Sequence, residues 1–187
     1  YSFIYETWRG GYNYSYMTVN DMNGDGYNYD AIYVPTDAEV ESGAFRFVSQ
    51  DDQDRFMGFL HNNKSLSKYQ GKYAEGYSVY NPWVHRVDFS YKHDFKLNIG
   101  STKHTLQLGI DIKNLLNLFN SSWGVSKTLN SAIGSDARIL KYEGVDAQGV
   151  ATFSTPSAIN ADTKLFTPLH ALGQCWNMGI TVKYIFN

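Results

Sequence analysis

The chain has 187 residues, of which 15 are Tyr, 11 Phe and 4 Trp, while only 18% are charged and the formal net charge is −2. So many aromatics with so little charge exclude a disordered polymer, and the absence of a basic excess excludes a typical nucleic-acid-binding surface. The single cysteine, Cys175, excludes an intrachain disulfide framework, and no apolar run reaches the roughly 18 residues of a membrane-spanning helix. The chain opens on Tyr1 without a basic n-region or an apolar h-region, as expected of a fragment or a processed product.

The first expected strand covers residues 1–9. Phe3 and Tyr5 share one face, but the alternation is of mixed phase. A long connection, 10–83, follows. It is acidic, carrying Arg46, Arg55, Lys64, Lys68 and Lys72 against ten Asp and Glu. Near its start stands Asp21-Met22-Asn23-Gly24-Asp25-Gly26, with Asn28 and Asp30 beyond it. Oxygen-bearing side chains at alternate positions followed by glycine suit a wrapped calcium loop, which makes Asp21, Asn23, Asp25 and Asp30 candidate metal ligands. Position twelve, where a bidentate Glu belongs, holds Ile32. The competing reading is an Asx- and Gly-rich turn that needs no ion. Further along, Ser49 precedes a run with acids in its first turn and Phe56, Phe59 and Leu60 on one face, which predicts a helix from about Asp51 to His61. A shorter helical piece is expected from Ser65 to Gln70.

The clearest pattern lies in the expected strand 84–99. Odd positions hold His85, Val87, Phe89, Tyr91, His93, Phe95, Leu97 and Ile99, and even positions hold Arg86, Asp88, Ser90, Lys92, Asp94, Lys96 and Asn98. Successive side chains of a strand point to opposite faces, so one face is apolar and the other charged. Residues 100–103 read as a turn into a strand over 104–115, with Leu106, Leu108, Ile110 and Ile112 on its apolar face. Placing Leu97 opposite Leu106 sets Phe95 opposite Leu108, His93 opposite Ile110 and Lys92 opposite Asp111, which matches both faces. A second long connection, 116–173, contains a candidate hairpin, Ile139–Tyr142 and Val150–Phe153 around the Asp146–Gly149 turn. The last strand, 174–186, alternates Trp176, Met178, Ile180, Val182, Tyr184 and Phe186 with Asn177, Gly179, Thr181, Lys183 and Ile185.

His85, His93 and His104 do not form a metal cluster on this pattern. His85 and His93 lie eight residues apart on one strand, about 26 Å at 3.3 Å per residue. The chain has no nucleophile elbow, phosphate-binding loop or Cys-x-x-Cys pair, and Asp88 and Asp94 are interleaved with Arg86, Lys92 and Lys96. No enzyme is expected. Strands this long, joined by one short turn and two long connections, fit an all-β antiparallel transmembrane barrel with long extracellular loops, one of them containing a short helix. The alternative is a soluble extracellular β-sandwich, a binding or adhesion module with a calcium loop. That fold would pack Phe89, Phe95, Ile110 and Ile180 against a second sheet.

Several pieces resemble a known family. They are the Asp21–Gly26 loop running into Asp30-Ala-Ile-Tyr-Val-Pro35, then Tyr69-Gln-Gly-Lys-Tyr-Ala-Glu75 and Pro82-Trp-Val-His-Arg-Val-Asp88. Further on come Leu106–Asn117 ending in Asn114-Leu-Leu-Asn117, Trp123-Gly124, and Lys183-Tyr-Ile-Phe186. In order and spacing they resemble the C-terminal part of a TonB-dependent outer-membrane receptor of the Oar-like group. That resemblance implies a bacterial outer-membrane nutrient transporter, with a barrel of about 22 strands and an N-terminal plug that contacts the TonB complex. The partners it implies are the rest of the barrel and plug, outer-membrane lipid, the TonB complex and a nutrient ligand. An aromatic residue closing the last strand is also part of the resemblance. Phe186 fills that place, although Asn187 follows it.

Overall fold

In the computed structural model, residues 1–11, 13–134 and 136–186 are described. The chain is predominantly β and divides into two units. Among the described residues no helix is long and apolar enough to cross a membrane.

The first unit comprises Tyr1–Gly10, Pro82–Lys127 and Pro168–Asn187. It is built on a four-stranded sheet in the order Ser2–Arg9, Trp83–Ile99, Thr102–Lys113 and Asn177–Phe186, every neighbour antiparallel. These are the four strands expected from the period-two pattern, shifted by one to three residues at their ends. The register between the two central strands differs from the expectation by two residues. Leu106 stands opposite Phe95 rather than Leu97, Leu108 opposite His93, Ile110 opposite Tyr91 and Asp111 opposite Ser90. The cause is the turn. Ile99 pairs with Thr102, so Gly100 and Ser101 alone make the connection, with Gly100 at φ +62°. A two-residue turn with glycine first matches the twist of the flanking strands better than a four-residue link does. A shift of two leaves every side chain on its expected face.

The Thr102–Lys113 strand ends at Asn114, which takes the left-handed conformation (φ 51°, ψ 53°) and opens the short helix Leu115–Phe119. This bend replaces the last two residues of the expected strand. Asn114 donates through Nδ2 to the carbonyls of Gly124 (3.1 Å) and Gln174 (2.6 Å), and its N–H donates to Asp88 at 2.8 Å. Asn117 donates to the carbonyls of Ser121 and Trp123 and accepts from the Trp176 N–H. The two asparagines thus tie the end of the Thr102–Lys113 strand to the 121–124 turn and to the segment that leads into Asn177–Phe186.

The second unit comprises Gly11–Asn81 and Thr128–Thr167. The two long connections do not stand as separate loops. They share one core, in which Tyr16, Ile32, Val34, Phe56, Phe59, Leu60, Leu66, Ile133, Ile139, Leu140 and Ile159 are fully buried. Burying each large apolar side chain contributes roughly 1.5–3 kcal/mol, which accounts for connections of this length holding a fixed form. A five-stranded sheet runs in the order Tyr29–Ala31, Tyr16–Val19, Ala137–Val145, Ala151–Ser154 and Arg46–Phe47. The expected hairpin forms its Ala137–Val145 and Ala151–Ser154 pair, with a bulge between Tyr142 and Gly144. Tyr16–Val19 pairs parallel with Ala137–Val145, and Arg46–Phe47 pairs parallel with Ala151–Ser154. The expected helix spans Gln50–Asn62, with the Ser49 hydroxyl capping the Asp52 N–H. The shorter piece is Lys64–Ser67. A further helix, Asp37–Glu41, starts at a capping box formed by Thr36 and Glu39.

Candidate functional site

The first unit leaves the apolar face of its long sheet largely exposed. Register places Phe3, Phe89, Ile112 and Met178 on one level. Tyr91, Ile110 and Ile180 share the next, then His93, Leu108 and Val182, and then Phe95, Leu106 and Tyr184. Most of these side chains are open. Phe95 is 52% exposed, Ile180 68% and Val182 65%. Exposed apolar patches of this extent mark an interaction surface.

Two bonded aromatic–imidazole pairs bracket this face. At one end Tyr5 Oη lies 2.7 Å from His85 Nδ1, and at the other His104 Nδ1 bonds Tyr184 Oη. His104 stands opposite Leu97, so the two pairs are separated by twelve positions of the Trp83–Ile99 strand, roughly 40 Å at 3.3 Å per residue. Between them the face is apolar apart from His93 and the hydroxyls of Tyr1 and Tyr91. The His93 ring stacks on Tyr91 and meets Phe95 edge-on, with centroids 4.5 Å apart in the latter pair.

The opposite face is polar and internally bonded. Arg86 holds Asp88 through two donors, Ser90 donates to Asp111 at 2.6 Å and Gln107 donates to Asp94 at 2.8 Å. Ile4, Trp8 and Ile185 also fall on this side by register, which accounts for the mixed phase of the first strand. Both edges of the sheet, Ser2–Arg9 and Asn177–Phe186, are without a neighbour among the described residues.

In the Asp21–Asp30 loop the Asn23 side chain meets Asp25 and Asp30, whereas Asp21 bonds only backbone N–H groups, and among the described residues no three acids converge as a metal group. Asp21 accepts the N–H groups of Gly24, Gly26 and Asp25, Asp25 accepts Tyr27 N–H, and Asp30 accepts Met22 N–H. Asn23 Nδ2 donates to Asp25 at 3.1 Å and to Asp30 at 2.8 Å, standing between two carboxylates where a cation would otherwise balance them. Ile32, at the place of the bidentate acid, is fully buried and offers no ligand. The donors present fit a calcium site only in part, while their bonds to the loop's own N–H groups close the turn as it stands.

Beside this loop, Met22, Tyr33, Phe45, Tyr73, Ala151 and Phe153 line a shallow cleft of about 310 Å³. Phe45 and Phe153 stack at 4.4 Å. At its margin Glu39 accepts from the Thr36 backbone at 2.7 Å, the Tyr33 hydroxyl at 2.5 Å and the Thr36 hydroxyl at 2.8 Å. These bonds, the backbone donor first, hold its carboxyl below the usual range. The same bond to Glu39, with partial burial second, pushes the Tyr33 phenol up.

The period-two alternation marked out the apolar face before the structure did. It missed the pairing of Tyr5 with His85 and of His104 with Tyr184, because each partner lies 80 residues from the other. The aromatic cleft was also missed, since its walls come from both long connections. Compared with protein-family models, curated proteins and solved structures, the chain matches none.

Proposed function

We propose that the chain forms part of the wall and outer vestibule of a bacterial outer-membrane transport barrel, of the TonB-dependent receptor type its sequence resembles. The observation that carries this reading is the long sheet with an exposed apolar face, a bonded polar face and two open edges. A strand tilted about 45° in a barrel converts the roughly 40 Å between the two aromatic–imidazole pairs into about 28 Å along the membrane normal, close to the apolar band of outer-membrane barrels. The polar face then lines the lumen. The open edges pair with further strands, since closure takes about eight or more. The exposure of Phe95, Ile110 and Ile180 weighs against the soluble sandwich, which would pack them under a second sheet.

In this reading the chain does no covalent chemistry. It provides a passage and an outer surface, the second unit presenting its acidic loop and aromatic cleft to a nutrient ligand. Plug and TonB contacts belong to other parts of the transporter. The test is fractionation of the protein expressed in a Gram-negative host. Recovery from the outer membrane with heat-modifiable gel migration supports the reading, and a stable soluble product overturns it.

A further inference from the structure

At the end of the apolar face that carries the Tyr5–His85 pair, a cavity of about 310 Å³ opens within the first unit, lined among others by Trp83, His85, Leu116, Trp123, Val125 and Lys127. We infer that this cavity holds the phosphate-bearing headgroup of an outer-leaflet lipid. The inference rests on the membrane reading above and adds a specific lipid site to it.

The walls and the charge point the same way. Trp83 and Trp123 are each about half exposed although they are large and apolar. Tryptophans at the margin of an apolar band lie at headgroup level, where an amphipathic ring is best solvated. No Asp or Glu lines the cavity among the described residues, whereas Lys127 and His85 do. Lys127 makes no ion pair with any described residue and is half-buried, so its ammonium is offered to an anion without competition. His85 spends Nδ1 on Tyr5. That leaves Nε2 for a phosphate oxygen, to which it donates in the tautomer that accepts the phenol at Nδ1. A lysine and an imidazole against two indoles suit a group that is anionic at its head and apolar below it. A freely soluble anion would not need the indole walls.

The test places a photo-crosslinking benzoylphenylalanine at Ser122, which also lines the cavity, in the protein carried in bacterial outer membranes. A second preparation carries it at Ile180, in the middle of the apolar face. Irradiation and mass analysis then identify the adducts. The expected result is enrichment of phosphate-bearing lipid at 122 over its share at 180, falling roughly tenfold in Lys127→Gln, as loss of one charge-assisted contact implies. Lys127→Arg should retain the enrichment, and adducts at 180 should be unchanged. Lipid adducts at 122 that mirror those at 180, or that persist in Lys127→Gln, overturn the site and leave the membrane reading standing. Absence of lipid adducts at both positions overturns both.

Discussion

Thr155 donates two hydrogen bonds to Asp52 across 103 positions of sequence. The Thr155 N–H donates to Asp52 Oδ1 at 2.9 Å, and the Thr155 hydroxyl donates to the Asp52 carbonyl at 2.8 Å. Arg55 completes the arrangement, donating to Asp52 at 2.7 Å and to the Thr155 carbonyl at 3.0 Å. This cluster joins the two long connections at a point where both backbones are buried.

Asp52→Ala should therefore destabilise the second unit by roughly 1–3 kcal/mol, because it leaves the buried Thr155 N–H without its acceptor and takes from Arg55 the more buried of its two carboxylate partners. Asp51 also pairs with Arg55, but its side chain is 77% exposed, so Asp51→Ala should cost about 0.5 kcal/mol or less. Urea titration of both variants checks the contrast, and equal losses would contradict it.

The long strands could be read from the sequence because their faces meet different surroundings, so residue type alternates along them. The Gln50–Asn62 helix was legible for a similar reason, having a cap and one apolar face. The register of the central hairpin was not. Leu97 and Phe95 are equally suitable neighbours for Leu106, and only the two-residue Gly100–Ser101 turn decides between them. The second unit was read as loops because Tyr33–Val34, Lys72–Tyr73 and Arg46–Phe47 have two residues each, too few to show a period. Its parallel pairings join segments more than a hundred residues apart. One signal was present and overlooked: Thr36-Asp37-Ala38-Glu39 carries the spacing of a capping box. The Asn114-Leu-Leu-Asn117 motif was visible only as a resemblance, whereas the structure shows two asparagines bonding four carbonyls.

Gly124 tests that fastening. A β-carbon there would come within 1.9 Å of Asn114 Oδ1, and the residue holds φ +64°. Gly124→Ala should cost about 2 kcal/mol or more through the clash and the left-handed backbone. Gly179→Ala meets nothing within 4 Å and should be close to neutral. Thermal melting of the two variants measures the difference.

The Asp21 loop closes through its own hydrogen bonds, so calcium and a chelator should give the same melting temperature. Asp21→Ala releases three backbone N–H groups and should lower stability by about 1–2 kcal/mol in either condition. A calcium-dependent rise in melting temperature that is lost in Asp21→Ala would show instead that the loop is a metal site.

Glu39 makes stability depend on acid. Its carboxyl, ordinarily at 4.5, is lowered in the folded state by the Thr36 and Tyr33 bonds. A group lowered on folding contributes fully above its unfolded value, and the contribution disappears as pH falls through the folded value. Glu39→Gln should therefore be less stable than the parent at neutral pH, with the gap narrowing below about pH 4.5. Melting temperatures across an acid series check this, and a gap independent of pH would contradict it.

The central claim is that one face of the long sheet meets lipid. It is tested most directly by spin labels placed one at a time along the Asn177–Phe186 strand in outer membranes, in a Cys175→Ser background. Accessibility to oxygen, which concentrates in lipid, is compared with accessibility to a water-soluble nickel chelate. The account predicts a period of two, with labels at Ile180, Val182 and Tyr184 reached by oxygen and those at Thr181 and Lys183 reached by the chelate. Labels at Ile180 and Val182 that are shielded from both, or reached mainly by the chelate, would contradict it.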